Sequence, residues 1–588
     1  MSQKPVVIIG AGPSGLAAAN ELVRQGIQSI VLEKSNTVGG ISRTEVYMGY
    51  GFDIGGHRFY TRIQQIQQTW QEMLPDEFAK VFRLSRIYFN GRFFNYPLDL
   101  LNAFLNIGLM ESFLILLSYM KARIRPFPEE KNFEQWVANN FGYRLHKTFF
   151  QSYTEKVWGI PCSEIQADWA VQRIRKLSLM TALSNALFGR QDTRTLVDEF
   201  WYPVKGSGMM WERFREVIET GGGEIMLNTE AVSLKCGDGI IESIEGVSND
   251  SHFEIPVEHV ISSMPLPELI GMMKPDAPNH VREASAKLAY RAFIMVGLIV
   301  NKRDVFPDQW IYVHSPRVKV GRLQNFKNWS ASMVPDPETT SVGMEYFCSE
   351  GDELWKMPDA DLLDLASKEL EELGLAKARD IKDGIVIRQP KAYPIYDYGY
   401  DDQLRAIRPY LEGIDNLQTI GRNGIHRYNN MDHSVLMGIL AARNVSGENH
   451  DLWNINEEKE YLEQSEKSNL DQKITEDIIK KTFARIDKLA FATAVGAVSG
   501  LIPFIATIWL LIKGGEVVGP NLQLLSQYFI GYTVSVKGAF ISFIYSFVWG
   551  FLFGWLFSYL RNFFFAYYIY RVKKKAAFLS LKDFFDYM

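Results

Sequence analysis

The first forty residues alternate between short apolar runs and a glycine-rich turn, and this pattern predicts a strand–helix–strand unit. Val6–Ile9 is a continuous apolar run of β-branched residues, typical of a buried parallel strand. Residues Leu16–Arg24 fit a helix packed on a sheet, Gly26 ends that helix, and Ile30–Leu32 supplies the next strand. We therefore predict that the chain begins with a βαβ unit of a parallel sheet.

A glycine-rich turn joins the first predicted strand to the first predicted helix. Gly10, Gly12 and Gly15 form the pattern G-x-G-x-x-G, and Glu33 closes the second strand. Gly10 permits the tight turn, Gly12 lets backbone amides approach a pyrophosphate, and Gly15 allows close packing of helix on strand. The helix N-terminus favours phosphate charge, and Glu33 can accept hydrogen bonds from ribose hydroxyls. The context predicts a dinucleotide-binding site.

The rest of the first 446 residues follows a discontinuous α/β pattern. Helical patterns dominate about residues 61–200, and strand-like runs return at Glu224–Leu227, Val260–Ser262, Phe293–Val300, Ser341–Phe347, Gly384–Arg388 and Leu417–Ile420. We predict a Rossmann-like part at about residues 1–60, 205–265 and 415–446. A helical insertion at about 61–200 and a mixed-sheet substrate region at about 266–414 complete the domain. The run Ala103–Met120, interrupted by Asn106 and Glu111, is predicted to be a buried or interface-lying helix.

The last part of the chain has a membrane-like pattern. Residues 447–472 are polar and acidic and are predicted to be a linker. Within the following membrane domain, residues 473–588, the stretches 491–512 and 539–560 contain no Asp, Glu, Lys, Arg or His. Each is long enough to cross about 30 Å of hydrocarbon, so both are predicted to be transmembrane helices.

Basic residues set the predicted orientation of this hairpin. Few charges lie near the connector between the two stretches, whereas the outer flanks carry Lys480, Lys481, Arg485, Lys488, Arg561, Arg571 and Lys573–Lys575. The positive-inside rule therefore places both termini and the catalytic domain in the cytosol, with two passes through the inner (cytoplasmic) membrane.

Both apolar stretches carry the small-residue motif G-x-x-x-G. Gly496 and Gly500 lie in the first stretch, and Gly550 and Gly554 lie in the second. Glycines four residues apart share one helix face and permit close approach of another helix. We predict that the two patches face each other, with Gly496 at the depth of Gly554.

Composition and charge exclude several other classes of protein. The net charge of −5 supplies no general basic field, so nucleic acid is not expected as a partner. The three cysteines are scattered, which predicts neither a disulfide framework nor a metal site. The short apolar run at the N-terminus leads directly into the glycine turn, so no signal peptide is expected.

Further glycine-dense segments favour FAD as the dinucleotide. Gly39-Gly40 and Arg43 follow the acidic strand end, and a loop with Gly55-Gly56-His57 comes next. At the far end, Gly421-Arg422 follows a strand and Met431-Asp432 opens a helical run. This arrangement resembles glutathione-reductase-like flavoproteins, which implies FAD bound by Gly10, Gly12, Gly15, Glu33, Gly40, Arg43, Gly56, Gly421, Arg422, Met431 and Asp432. No cysteine or histidine lies in an obvious attachment context, so the FAD is expected to be non-covalent.

A second resemblance is to UDP-galactopyranose mutases and their relatives, which include protoporphyrinogen and amine oxidases. It rests on passages spread over about residues 5–445: Gly55-Gly56-His57, Arg86 to Gly91 with Tyr96-Pro97, Tyr153 to Gly159, Gly321 to Trp329, Tyr393-Pro394, and Gly421 to Asp432. The ending Gly421-Arg422 with Met431-Asp432 resembles the mutase form, because amine oxidases normally carry a Gly-Glu pair there.

The resemblance implies a redox-neutral change of sugar ring size. In the mutases, reduced flavin reacts through N5 with the anomeric carbon, UDP departs, and the ring recloses at a different size. A cationic and phenolic clamp on the leaving diphosphate is then needed. The implied site residues are Arg322 as the diphosphate cation, Tyr393 and Tyr428 as phenolic donors, Trp158 as a pocket wall, and His57 beside the flavin or sugar.

This sequence differs from the mutases in two features, and two other functions are also compatible with it. The second diphosphate arginine of the mutases has only nearby candidates, Arg173 and Arg175, and the membrane tail is a feature that soluble mutases lack. The first alternative is an oxidoreductase of the protoporphyrinogen or amine oxidase type, passing hydride from an apolar substrate to flavin. The second is a non-catalytic FAD-binding membrane component. The expected partners are a nucleotide sugar or another small molecule and the lipid bilayer, and the reductant of the flavin stays unassigned.

Overall fold

The computed structural model describes residues 4–96, 102, 106–166, 199–455, 487–514 and 519–586. The chain divides into two compact units, residues 1–465 and 466–588. The boundary between these units falls inside the predicted linker. The candidate cations Arg173 and Arg175 lie outside the described residues.

The first unit combines parallel and antiparallel sheets with surrounding helices. Its strands are β1 Val6–Ile9, β2 Ser29–Leu32, β3 Thr44–Tyr47, β4 Tyr50–Asp53, β5 Phe78–Phe82, β6 Ser85–Phe89, β7 Arg92–Asn95, β8 Glu199–Pro203, β9 Glu224–Met226, β10 Thr229–Gly237, β11 Ile240–Ser248, β12 Ser251–Pro256, β13 His259–Ser262, β14 Met273–Lys274, β15 Tyr290–Val300, β16 Trp310–Val313, β17 Arg322–Asn325, β18 Thr340–Cys348, β19 Ile381–Pro394 and β20 Leu417–Thr419. The longer helices are α1 Pro13–Arg24, α2 Gln64–Met73, α3 Leu109–Ile124, α4 Phe133–Phe141, α5 Ser152–Trp158, α6 Gly208–Thr220, α7 Leu266–Gly271, α8 Asn279–Ala286, α9 Asp359–Glu372, α10 Tyr400–Glu412 and α11 Met431–Val445.

The predicted dinucleotide fold is confirmed by a five-stranded parallel sheet with the order β20-β13-β1-β2-β9. Val6 and Ile8 pack into one hydrophobic core with α1, α6 and α11, whereas Val7 and Ile9 pack into another on the opposite face. Both faces of the sheet are therefore covered, which explains why β1 is a continuous apolar run. Segments far apart in sequence complete the sheet, because β13 and β20 flank β1 on one side.

A seven-stranded sheet with the order β19-β15-β18-β17-β16-β6-β7 forms the predicted mixed-sheet region. Its strands β6 and β7 come from the segment that the sequence analysis assigned to helices, and that assignment is wrong there. The two strands form a hairpin through Asn90 and Gly91, whose positive φ angles of 48° and 78° suit a tight two-residue turn. The Asn-Gly pair is therefore the local signal for strands inside the otherwise helical segment.

The predicted linker begins later than the composition indicates. Leu452 is buried in the core beside α1 and α11, and the Arg427 Nη1 donates to the carbonyl oxygen of Trp453 at 2.8 Å. Residues 447–455 are therefore folded against the first unit, despite their polar character. Residues 456–472 lie outside the described residues.

The second unit contains two long apolar helices, α12 Lys488–Lys513 and α13 Val536–Asp586. Both are long and apolar enough to cross a membrane. The prediction that their glycines face each other is confirmed: a Cβ on Gly550 would lie 3.1 Å from the Gly496 Cα. The predicted pairing of Gly496 with Gly554 is wrong by one helical turn, because Gly554 packs on Ala492 and Val495 instead.

Candidate functional site

The three glycines of the first turn have different structural roles. Gly10 has a φ of +99°, and a Cβ there would overlap the Ser263 hydroxyl. A Cβ on Gly15 would overlap the Gly10 carbonyl oxygen, so this glycine lets α1 lie close to β1. A Cβ on Gly12, by contrast, would meet no described atom within 4 Å, and Gly12 caps the N-terminus of α1. The turn therefore leaves room beside a helix N-terminus, which is what an approaching pyrophosphate needs.

The Glu33 carboxylate holds this turn from the end of β2. Its Oε2 accepts a hydrogen bond from the Ala11 amide at 2.7 Å, and its Oε1 accepts from the Ser35 amide and hydroxyl. The two hydrogen bonds from Ser35 use both lone pairs of Oε1, whereas Oε2 has a further lone pair available for a ribose hydroxyl. The ribose contact of Glu33 stays a prediction.

Gly40 lies against the first glycine turn. A Cβ on Gly40, whose φ is +53°, would lie 3.2 Å from the Gly12 Cα. Arg43 stabilises this second turn, because its Nη1 donates to the Gly40 carbonyl oxygen at 2.9 Å while its Nε pairs with Glu45. Arg43 also reaches Gln389 of β19 and thereby connects the nucleotide part to the seven-stranded sheet.

The loop around His57 links the glycine turns to the seven-stranded sheet. The His57 Nε2 lies 3.0 Å from the Ile41 carbonyl oxygen and 2.9 Å from that of Ile54. Burial, together with smaller effects of the positive charges of Arg422 and Arg322, lowers the pKa of His57 to about 4. His57 is therefore neutral at pH 7. Its Nε2–H can only be shared between these carbonyls.

An aromatic ring leaves no room for a side chain at Gly56. A Cβ at this position would overlap the ring of Trp310, the first residue of β16. The same ring lies 5.0 Å from the guanidinium carbon of Arg322. The loop that carries His57 and the predicted diphosphate cation are thus held together by one tryptophan.

Arg322 is at the centre of a buried polar cluster. Its Nη2 lies 2.7 Å from the Glu345 carboxylate and donates to the Tyr393 hydroxyl at 2.7 Å. Phe347 packs on the guanidinium at 4.6 Å, and the Arg322 Nε has no hydrogen-bond partner among the described residues. Although burial opposes the charge, Glu345 and neighbouring phenols hold the pKa of Arg322 well above its ordinary value. Arg322 is therefore a permanent cation with an unused donor.

Tyr393 and Tyr428 form the phenolic part of the cluster. Their rings stack with centroids 5.7 Å apart and an interplanar angle of 8°. The Arg422 guanidinium lies 4.5 Å from the Tyr428 ring and donates to the carbonyl oxygens of Asn429 and Ala392. Burial raises the pKa of Tyr393, so its hydroxyl stays protonated at neutral pH. The structure thus brings three of the predicted site residues, Arg322, Tyr393 and Tyr428, into one cluster with Arg422.

The C-terminal turn adjoins the first glycine turn. Gly421 has a φ of +78°, and a Cβ there would lie 2.6 Å from the Ser14 hydroxyl at the start of α1. Met431 and Asp432 open α11 and are buried, and the Asp432 carboxylate accepts a hydrogen bond from the Thr61 hydroxyl at 3.0 Å. The contacts of these residues with a cofactor stay predictions.

Trp158 belongs to the hydrophobic core behind the cluster. It is buried and its ring lies 6.1 Å from that of Tyr396, whose hydroxyl accepts a hydrogen bond from the Tyr428 amide. Trp158 therefore supports Tyr428 through Tyr396. Its predicted role as a pocket wall stays a prediction.

Four residues of the cluster are not predicted from the sequence: Glu345, Trp310, Phe347 and Tyr153. Glu345 had a signal, because it is the only charged residue in the apolar run Ser341–Phe347. The Gln324 amide nitrogen donates to its second oxygen at 2.8 Å. Tyr153 is half-buried, with its ring stacked on His314, and desolvation raises its pKa well above the ordinary value against the opposing charge of Arg322. The aromatic residues could not be recognised in this way, because aromatic side chains in apolar runs are also typical of an ordinary hydrophobic core.

Comparisons with known proteins agree with this geometry. The family model for flavin containing amine oxidoreductase matches residues 13–446. A probable UDP-galactopyranose mutase of Klebsiella pneumoniae is 28 % identical over 178 residues, which are 28 % of this chain and 44 % of that protein. A putative flavin-containing monoamine oxidase of Mycobacterium tuberculosis is 51 % identical over 51 residues, 9 % of this chain and 11 % of that one. The chain thus matches less than half the length of these relatives.

Solved structures share the fold at low sequence identity. A reduced UDP-galactopyranose mutase superposes with a TM-score of 0.68 and 22 % identity, covering 77 % of this chain and 98 % of that one. A putative protoporphyrinogen oxidase from Exiguobacterium has a TM-score of 0.59 and 17 % identity, covering 76 % and 99 %. The cofactor is FAD, and the open side of Gly12 at the α1 N-terminus fits its pyrophosphate. Because the family model spans most of the chain, this protein is a flavoenzyme that belongs to the flavin-containing amine oxidoreductase family.

Proposed function

We propose that this chain is a membrane-tethered enzyme that changes the ring size of a sugar carried on a nucleoside diphosphate, as UDP-galactopyranose mutases do. The observation that carries the proposal is the buried Arg322 guanidinium beside Tyr393 and Tyr428, whose Nε donor no described residue uses. A buried cation with a free donor is suited to an anionic leaving group.

The positive charge of the cluster around Arg322 favours this proposal over amine oxidation. The pKa of Arg322 is held well above its ordinary value, so its guanidinium stays charged at any physiological pH. Arg422 adds a second guanidinium against the single carboxylate of Glu345, so the cluster holds more positive than negative charge. A cationic amine brought beside it would be repelled in a medium of low dielectric constant. A diphosphate, in contrast, is attracted by the same charge.

The residues of the cluster have separate tasks in such a reaction. Arg322 binds and orients the diphosphate, and Glu345 fixes the guanidinium from the opposite strand. Because the Tyr393 hydroxyl accepts from Arg322, its own hydrogen is available to a phosphate oxygen. FAD bound in its reduced form would supply the nucleophile that displaces the diphosphate from the sugar.

Aromatic rings exclude water from this clamp. Trp310 and Phe347 lie on the Arg322 guanidinium at 5.0 and 4.6 Å. With little competing water, hydrogen bonds to the departing charge are stronger than in solvent. His57, neutral at pH 7, adds no second cation and holds the loop between the glycine turns and Trp310.

The membrane tether of the proposal is supported by the second unit. The outward faces of α12 and α13 are apolar, with Trp509 and Phe553 exposed by 67 % and 70 %. Apolar side chains in such numbers are stable only when lipid or another apolar phase covers them. The basic flanks favour two passes through the inner membrane, with the flavin-binding unit and both termini in the cytosol.

The proposed reaction is tested with the purified full chain in detergent and UDP-galactopyranose as the probe. We expect a ring-contracted isomer, separated by anion-exchange chromatography, only after dithionite has reduced the flavin. Bleaching of the oxidised flavin by the substrate, without dithionite and without an isomer, would instead indicate an oxidoreductase. A chain that holds FAD and does neither with any nucleotide sugar would indicate a binding component.

A further inference from the structure

We propose that helix α3 docks the flavin-binding unit onto an anionic lipid surface, with one apolar helix face lying among the lipid headgroups. The inference rests on the membrane tether proposed above, because a tethered unit stays close to a bilayer. Its structural basis is a stripe of exposed apolar residues, named here the α3 stripe: Met110, Phe113, Leu117, Met120 and Ile124.

The α3 stripe follows the period of one helix face. Its members are spaced by three, four, three and four residues, which places them within an arc of about 80°. Met110 and Ile124, at the two ends, are exposed by 74 % and 79 %. The exposed face is therefore continuous over the whole length of α3.

The opposite face of α3 already supplies the contact with the protein. Ile115 and Tyr119 are buried in the core that also contains Trp158 and Tyr393. The helix is thus apolar on both sides, whereas a surface helix normally exposes polar residues. Helix α9 of the same unit shows the usual pattern, because all but one of its exposed positions are charged: Asp359, Ala360, Asp361, Asp364, Lys368, Glu371 and Glu372.

Charges next to the α3 stripe favour an anionic partner. Lys121, Arg123 and Arg125 are exposed at the C-terminal end of α3. The acidic residue near the start of the helix, Glu111, is neutralised by Arg144 at 2.6 Å. An apolar face flanked by cations is the pattern of a helix that lies in the interface of an anionic bilayer.

The test places an environment-sensitive fluorophore on the stripe of the full chain in lipid nanodiscs. A cysteine introduced by Leu117→Cys is labelled in a Cys236→Ser background, since Cys162 and Cys348 are buried. The matched control is Ile240→Cys, an exposed apolar residue of the β10–β11 hairpin, and the hairpin control is Val498→Cys in α12. Flavin absorbance per chain verifies that each variant is folded.

We expect lipids with a doxyl quencher to quench the label at position 117 in discs of anionic lipid, as they quench position 498, and not to quench position 240. Quenching at 117 should fall in zwitterionic discs and at 1 M salt, where the Debye length shrinks to about 3 Å. Quenching at 498 with none at 117 would overturn the docking of α3. A shielded but unquenched label at 117, with two chains per disc, would show that a second copy covers the stripe instead.

The result at position 498 distinguishes failure of the membrane tether from failure of the docking of α3. If 498 is not quenched, the membrane tether itself is wrong, and the docking inference falls with it. The isomerase assay in detergent does not depend on either result.

Discussion

Arg322 and Glu345 are directly opposed on β17 and β18, and their side chains form a buried ion pair with the Arg322 Nη2 2.7 Å from the Glu345 carboxylate. Glu345 is fully buried, and burial raises its pKa against the effect of Arg322. Each charge therefore depends on the other, so removing only one partner changes both the stability and the site. A variant that removes the Arg322 cation must therefore also remove the Glu345 charge if loss of function is to be separated from loss of folding.

The double variant Arg322→Gln/Glu345→Gln should fold and bind FAD but lose turnover. Both charges leave together, so no unpaired charge stays buried. The lost contact to the leaving diphosphate should lower kcat by about 10²–10³, or about 3–4 kcal/mol. Flavin content and melting temperature near those of the wild type, with turnover measured on UDP-galactopyranose, form the check.

The matched control is Arg86→Gln/Asp308→Asn, which removes another ion pair with a buried acid, between β6 and the segment before β16. This control should keep its turnover. If both double variants lose activity equally, Arg322 acts through the sheet and not on the substrate.

Glu345→Gln alone should strengthen the binding of UDP. The amide keeps the shape of the side chain and removes the charge that partly neutralises Arg322, so the guanidinium attracts a diphosphate more strongly. We expect a dissociation constant for UDP about tenfold lower, measured by isothermal titration of the holoenzyme. Weaker UDP binding would mean that Glu345 acts mainly by orienting Arg322.

Gly12→Ala and Gly15→Ala should fail in different ways. The methyl group of the first variant would enter the space left for the pyrophosphate, whereas that of the second would overlap the Gly10 carbonyl oxygen. We expect Gly12→Ala to keep its fold and bind FAD at least about tenfold more weakly, which is about 1.4 kcal/mol. Gly15→Ala should lose thermal stability even with excess FAD. Circular dichroism and flavin titration distinguish the two, and equal stability of both variants would contradict these roles.

His259→Gln should reduce the sensitivity of the first unit to acid. Burial lowers the pKa of His259 to about 4, so between pH 4 and pH 6.5 the unfolded chain binds a proton that the folded chain does not. The free energy of unfolding therefore falls as the pH falls through this window, by about 1.4 kcal/mol per pH unit for one histidine. In the variant, the free energy of unfolding should therefore depend less steeply on pH in this window. Urea unfolding at several pH values, followed by flavin fluorescence, measures this dependence. His280→Gln, at an exposed position, is the control for the substitution.

The helix register of the hairpin can be tested with cysteine pairs at Ser499 and Gly550. A Cβ on Gly550 would lie 2.7 Å from the Ser499 Cβ, so these positions should crosslink within one chain under mild oxidation. The pair at Ser499 and Gly554 is displaced by one turn, about 6 Å, and should crosslink far less. Both pairs require a background without the three native cysteines. Crosslinks of dimer mass, or a preference for the second pair, would contradict this register.

Local elements whose chemistry is contained in a short segment are predictable from the amino-acid sequence. The βαβ unit with its G-x-G-x-x-G turn, the six later strands and the two apolar helices were all predicted, because periodicity, glycine spacing and apolar length report on neighbouring residues. Arg322, Tyr393 and Tyr428 were named as one site only through resemblance, since they lie on three separate segments. The hairpin at Asn90-Gly91 was missed although its turn signal is local.

The neighbours that each of these residues contacts are set by long-range packing and are not predictable from local sequence. Glu345 became the partner of Arg322 through the register of β17 and β18, and Trp310 came to lie on Gly56 although about 250 residues separate them. The pairing of Gly496 with Gly550 rather than Gly554, and the exposure of the α3 stripe, likewise follow from packing. A sequence pattern fixes which residues share a face, whereas the partner of that face depends on long-range contacts that only the folded chain makes.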